Sequence, residues 1–172
     1  MAAGKSTFGK ALATKCGVAF VDLDDFIEER MQMSVSDIFR QYGEDEFRRI
    51  ENECLHLVSM EDVIVACGGG TPCFHSNMEF MNEAGITIWL QASKECIMRR
   101  LSEQNSSRPL VAGMSETEME SVVNKHMKER EPFYSQARIY WDGEKLENET
   151  EITENIISFL QSMKDIPMKD AR

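Results

Sequence analysis

Gly4-Lys5-Ser6-Thr7, inside the opening MAAGKST (residues 1–7), decides how this chain is read. The tetrapeptide matches the end of the phosphate-binding pattern G-x-x-x-x-G-K-[ST]. Glycine there lets backbone N–H groups approach phosphate oxygens, and the helix that follows adds the partial positive charge of its N-terminus. In that reading Lys5 reaches the β- and γ-phosphates of a nucleotide, and the Ser6 hydroxyl holds Mg2+. The bland reading is a frayed terminus with an incidental GKS. An apolar stripe of Phe8, Leu12 and Cys16 follows at once, implying a helix over residues 6–16 that Gly17 stops, and it favours the phosphate loop.

Outward from this point, short apolar runs alternate with helical patterns. VAFVDL (18–23) reads as a strand that ends in acids, followed by a helix over 25–31 capped by Asp24 or Asp25. Ser34 caps a short helix with Val35, Ile38, Phe39 and Tyr42 inward and Gly43 as its stop. Residues 44–59 form the strongest helix, with Phe47, Ile50, Cys54, Leu57 and Val58 as its apolar stripe. VIVAC (63–67) is a strand running into Gly68-Gly69-Gly70, and residues 78–84 are helical up to Gly85. ITIWLQA (86–92) is the next strand, with a helix from Ser93 through Arg100. Ser115 and Glu118 make a capping box for a helix that runs to about Arg130 and ends at Pro132. Residues 138–142 are the last strand, and residues 152–163 a terminal helix with Ile152, Ile156, Leu160 and Met163 inward. Continuous apolar strands separated by helices imply an α/β fold, a parallel sheet covered on both faces.

The chain's 172 residues suit one domain, 1–172, able to bury a core without staples. A net charge of −11 argues against a nucleic-acid partner. No signal peptide or spanning apolar stretch is present, so no membrane is expected and the expected compartment is cytoplasmic. The five cysteines (Cys16, Cys54, Cys67, Cys73, Cys96) form no C-x-x-C pair and read as reduced thiols. The twelve methionines read as core filler, and His56, His75 and His126 as structural or exposed.

Four further features carry chemistry. Asp22 and Asp24 stand at a strand's carboxyl end, where open sheets bind ligands, and strand alternation places them on one side. One can sit near Mg2+ and the other orient or deprotonate a hydroxyl. Arg48 and Glu51 share a helix face; the spacing alone fits a solvated surface pair, the alternative being a carboxylate clamp. Three successive glycines, Gly68 to Gly70, make sense where a ligand must touch main chain. Arg108 lies in a polar lid (about 104–114) and Arg130 at a helix end. Arginines on a closing loop can neutralise a transferred phosphoryl group, although singly each fits a plain surface residue.

These pieces in this order resemble the shikimate kinases, small P-loop kinases of the nucleoside-monophosphate-kinase type. The resemblance rests on AAGKST, FVDLDDFIE, GEDEFRRIE, VACGGG, RPLVAG and KEREPFY, and it runs from Met1 to about Leu160. It implies a three-layer P-loop fold and ATP-dependent phosphorylation of the shikimate 3-hydroxyl, on the route to chorismate and the aromatic amino acids. Carried over by position, Gly4, Lys5, Ser6 and Thr7 hold ATP, Ser6 and Asp22 serve Mg2+, and Asp24 binds the shikimate hydroxyls and acts as base. Arg48 and Arg130 hold the shikimate carboxylate, Gly69 and Gly70 present backbone, Arg108 reaches the phosphates from the lid, and Arg100 resembles an adenine-stacking arginine. The substrate region spans about 24–60, the tail about 164–172 is frayed, and the family implies a monomer.

The family places a central strand and a further glycine before Gly4, and this chain has neither. Losing a central strand would divide the sheet and leave backbone groups unpaired on both neighbours. Met1 is therefore read as an internal methionine taken as a start. Two other functions stay open: a gluconate-kinase-like enzyme of the same fold, and a non-enzymatic substrate-binding relative.

Overall fold

The computed structural model describes residues 2–58, 62–103 and 114–164. The lid with Arg108, save Met114, and the tail beyond residue 164 lie outside them.

Helix α1 (Lys5–Cys16) opens the fold and ends at Gly17 in the left-handed conformation, φ 70°. Strand β1 (Ala19–Asp22) leads into α2 (Leu23–Met31), and α3 (Val35–Val58) follows. Gly43 sits inside α3 at φ 82°, ψ 175°, so the expected stop is a kink joining two helical segments. Ser34 caps the first of these, accepting from the Asp37 N–H at 3.1 Å. Strand β2 (Val63–Ala66), a 3-10 turn (Thr71–Cys73), α4 (Asn77–Ala84) and β3 (Ile88–Gln91) come next. Then α5 (Lys94–Glu103), α6 (Glu116–Tyr134), β4 (Ile139–Asp142) and α7 (Glu149–Lys164) complete the order.

The strands are all paired in parallel, but in two separate ladders. β1 pairs with β2 from Ala19↔Val63 to Asp22↔Ala66, and β3 with β4 from Ile88↔Ile139 to Gln91↔Asp142. Among the described residues no ladder joins β2 to β3. The sheet is divided into two ladders, as the sequence reading expected of residues without the family's central strand. One core cluster lies under α2 and α3, around Leu23, Ile27, Ile38, Phe47 and Leu55. A second joins α1, α7 and the β3–β4 pair through Phe8, Leu12, Leu90, Ile156 and Phe159. Each such side chain contributes roughly 1.5–3 kcal/mol by leaving water.

Several local expectations are corrected. Leu57 is 50 % exposed and Leu55 is buried in its stead. At 100° per residue, positions 47, 50, 51, 54, 55 and 58 share one face about 140° wide, and position 57 falls about 20° beyond its edge at position 50. Tyr42, just before the kink, is exposed, as is Cys16 at the end of α1. Pro132 does not end α6, which continues to Tyr134. In the last turn a proline forfeits one hydrogen bond only, and its fixed φ suits a helix. Asp24 is not a strand residue: Asp22 caps α2, accepting from the Asp24 N–H at 3.2 Å. The two carboxylates are neighbours through a cap, not through strand alternation.

Candidate active site

Gly4 is the N-cap of α1 with φ 88°, and a Cβ there would stand 2.6 Å from Leu146 Cδ1. The conformation favours glycine, and a side chain would also have to push the Leu146 methyl aside. The first turn of α1 carries no acidic residue and Gly4 supplies no capping side chain, so the helix end suits an anion. Ser6 Oγ donates to Asp22 Oδ2 at 2.5 Å, bridging the start of α1 to the end of β1. A hydroxyl and a carboxylate side by side are the hard oxygen donors that Mg2+ prefers. No larger group of His, Cys, Asp or Glu suited to a metal occurs among the described residues. The pair therefore fits an ion that keeps water and phosphate oxygens as its other ligands.

Asp24, one residue into the helical turn beyond this pair, is half-buried. Its carboxyl is pushed up to about 6, by burial first, then by Asp22 and Glu51, with Lys5 pulling the other way. The Cys67 thiol, at the end of β2, is pushed up to about 12 by burial, then by Glu51, again opposed by Lys5. Lys5, Asp22, Asp24 and Glu51 therefore act on one small region at the carboxyl ends of β1 and β2. Gly68 sits in the middle of it. A Cβ on Gly68 would be 3.0 Å from Glu51 Oε1, 3.1 Å from Asp24 Oδ1 and 3.1 Å from Thr71 Oγ1.

Arg48 and Glu51 are not a solvated surface pair. Arg48 is buried and Glu51 is 1 % exposed, with Arg48 Nη1 donating to Glu51 Oε2 at 2.8 Å. Thr71 Oγ1 donates to Glu51 Oε1 at 2.6 Å, and Asn77 Nδ2 donates to the Thr71 carbonyl at 2.8 Å. The guanidinium stacks near Phe74, Phe47 and Phe39, 4.4, 5.1 and 5.8 Å from their centroids. Spacing could not reveal this, because burial comes from the glycine turn and Phe74 folding over α3. A Cβ on Gly70 would lie 2.6 Å from Arg48 Nη2. Gly70→Ala therefore displaces the guanidinium from its place against Glu51, and urea unfolding should show the partial loss of a charge-assisted bond worth about 1.5–3 kcal/mol.

Arg130 reaches the same region from α6. The Cys73 thiol, raised by burial, is drawn down by both Arg130 and Arg48. The Tyr134 phenol is raised by burial and opposed by Arg130, to which it is hydrogen-bonded. Tyr134 Oη also donates to the Gly69 carbonyl at 2.5 Å, tying α6 to the glycine turn. Arg100 stands apart. Its five hydrogen bonds match its five N–H groups: one each to the Ala2, Gly143 and Glu144 carbonyls and two to Glu147 Oε1, at 2.8–3.3 Å. What it offers a ligand is a guanidinium face. Arg108 lies outside the described residues.

The structure thus brings together Lys5, Ser6, Asp22, Asp24, Arg48 and Arg130 around Gly68–Gly70. Sequence reasoning missed Thr71, Phe74 and Tyr134. Thr71 directly follows the glycines and was within reach of a closer reading; Phe74 and Tyr134 had no local signal.

The shikimate kinase family model matches residues 1–161. A shikimate kinase of Parabacteroides distasonis is 44% identical over 153 residues, covering 88% of either chain. One from Phocaeicola vulgatus is 41% identical over 95% of this chain and 94% of its own. Among solved structures, the shikimate kinase of Bacteroides thetaiotaomicron is 38% identical with a TM-score of 0.91, covering 96% of this chain and 94% of that one. The shikimate kinase of Acinetobacter baumannii in complex with shikimate is 27% identical with a TM-score of 0.84, covering 98% and 91%. An arginine–carboxylate pocket beside a phosphate-type helix end, together with identity sustained along almost the whole length, assigns this chain to the shikimate kinase family, ATP-dependent phosphotransferases.

Proposed function

We propose that this chain transfers the γ-phosphoryl group of ATP to the 3-hydroxyl of shikimate, with roles divided as follows. The N–H groups at the start of α1 and Lys5 hold the ATP phosphates. Ser6 and Asp22 hold Mg2+, which when bound neutralises charge on the phosphates. Arg48 and Arg130 receive the shikimate carboxylate, and the Gly69–Gly70 backbone closes on the ring. Asp24 accepts the proton of the attacking hydroxyl. Arg100 presents its face to the adenine, and Arg108 reaches the phosphates from the lid. The chain is proposed to act as a cytoplasmic monomer.

One observation carries the reading: an acid raised toward neutrality, Asp24, stands against the same glycine turn that a buried arginine, Arg48, contacts from the other side. A small polyol with one carboxylate fits that pairing, with the arginine for its carboxylate and the acid for its hydroxyl. Phosphoryl transfer asks for positioning and charge neutralisation more than covalent chemistry. A polyol without a carboxylate leaves the two arginines without a part in holding the substrate.

The test is ADP release from MgATP with shikimate, with gluconate, and with neither. Shikimate-dependent release is expected; release with gluconate alone would overturn the substrate. The raised Asp24 carboxyl also sets a pH profile. A base works only when ionised, and this one is protonated below about pH 6. Log kcat/KM for shikimate should then fall with unit slope below that pH, about tenfold per unit. A profile flat from pH 7 to 5 would remove Asp24 from the base role.

A further inference from the structure

The glycine turn after β2 is held by more than its own main chain. The Thr71 N–H donates to the Gly68 carbonyl at 3.2 Å and the Cys73 N–H to the Gly70 carbonyl at 2.8 Å, which closes the 3-10 turn. Three polar side chains are nevertheless buried around it: Glu51, Thr71 and Asn77. Taking such groups out of water costs free energy that a turn does not require. Together with Asn52 they form a circuit. Asn52 Nδ2 donates to Asn77 Oδ1 at 2.7 Å, Asn77 Nδ2 to the Thr71 carbonyl at 2.8 Å, and Thr71 Oγ1 to Glu51 Oε1 at 2.6 Å. Glu51 and Asn52 are adjacent on α3, so the circuit closes there. It clamps the turn to the helix that carries Arg48.

What the circuit sets is the direction of the Glu51 carboxylate. The terminal torsion of a glutamate is broad and roughly two-fold, so a single anchor leaves the group free to rock. Thr71 holds Oε1, and that fixes Oε2, which accepts from Arg48 Nη1 at 2.8 Å. The other polar anchors of Arg48 are longer: Nε and Nη2 reach the exposed Glu44 at 3.3 and 3.2 Å. Phe74, with its centroid 4.4 Å from the guanidinium, limits the tilt of that group but not its rotation within its own plane. We propose that Thr71 is a positioning residue for substrate binding. Its hydroxyl, aimed by Asn77, sets the Glu51 carboxylate and through it the in-plane angle at which Arg48 meets the carboxylate of shikimate. Bidentate recognition by a planar fork depends on that angle. The inference rests on the shikimate reading above and adds to it a residue that touches no substrate.

Three variants separate the hydroxyl from the packing. Thr71→Val keeps the shape and loses the hydroxyl, while Thr71→Ser and Thr71→Ala differ by the hydroxyl alone. Valine and alanine should raise the shikimate KM about tenfold, the loss of one well-aligned charge-assisted bond. Their kcat and ATP KM should stay within about twofold of the parent, and the serine variant should stay close to the parent in all three constants. A second readout needs no activity. In protein labelled with 15N-arginine, the Arg48 signals are assigned by their absence from Arg48→Lys. They should show restricted Nη rotation in the parent and the serine variant, and averaged rotation in the other two. Equal shikimate KM in the serine and alanine variants would overturn the proposal. So would a loss shared equally by kcat and the ATP KM, or restricted Arg48 rotation without the hydroxyl. A parent that releases no ADP in response to shikimate would instead overturn the substrate reading, and the Arg48 signals would still decide the positioning role.

Discussion

Asp24→Asn lowers kcat by about 10²- to 10⁴-fold, the usual contribution of a positioned general base. The substitution is nearly isosteric and leaves the cap intact, because Asp22 rather than Asp24 accepts the bond that starts α2. It also relieves a crowd of negative charge, since Asp22, Glu51 and Glu28 all push on the Asp24 carboxyl. The variant should therefore fold at least as well as the parent. At neutral pH the stability effect has a definite sign. A carboxyl whose folded pKa stands above its unfolded value of 3.8 favours folding when protonated, and that advantage is lost as pH rises through about 6. Asparagine is insensitive to this change. Kinetics and urea unfolding at pH 7.5 check both halves: a collapsed kcat with unchanged or higher stability. A kcat within threefold of the parent would move the base elsewhere.

Arg48→Ala acts on substrate and fold together. Removing a guanidinium that is proposed to hold a carboxylate raises the shikimate KM by about 10²-fold, from one or two charge-assisted bonds of about 1.5–3 kcal/mol each. It also leaves Glu51, 1 % exposed, with Thr71 as its remaining hydrogen-bond donor of those described here. Breaking a buried pair by deleting one partner costs about 3–5 kcal/mol. Arg48→Lys separates the two effects. It keeps a cation beside Glu51 and so retains most of the stability, but it lacks the planar fork and the ring stacking against Phe74. Denaturant midpoints should rank parent, lysine, alanine, while both variants show the raised KM. An alanine variant as stable as the parent would mean that the buried Arg48–Glu51 pair contributes nothing net to folding.

The helices and strands were legible because they depend on local chemistry. Gly17 ends α1 in the left-handed conformation, Ser115 and Glu118 form the capping box of α6, and the β-branched run from Val63 forms β2. The phosphate-type helix end was legible for the same reason, since glycine, lysine and serine act there through neighbours in the chain. The two separate ladders were also foreseeable, because the given residues hold no apolar run ahead of Gly4 for their neighbours to pair with.

By itself, then, the sequence determined the α/β class, the order of elements, and the residue types gathered for phosphate and carboxylate binding. Only the tertiary structure decided what those residues face. Arg48 and Glu51 read as a surface pair until Thr71 and Phe74, from beyond β2, fold over them. Asp24 acquires its raised pKa from burial and from Glu51, 27 positions away in the chain. Tyr134 meets Gly69 across 65 positions. Burial and long-range charge depend on which elements pack together, and no spacing within one helix records that.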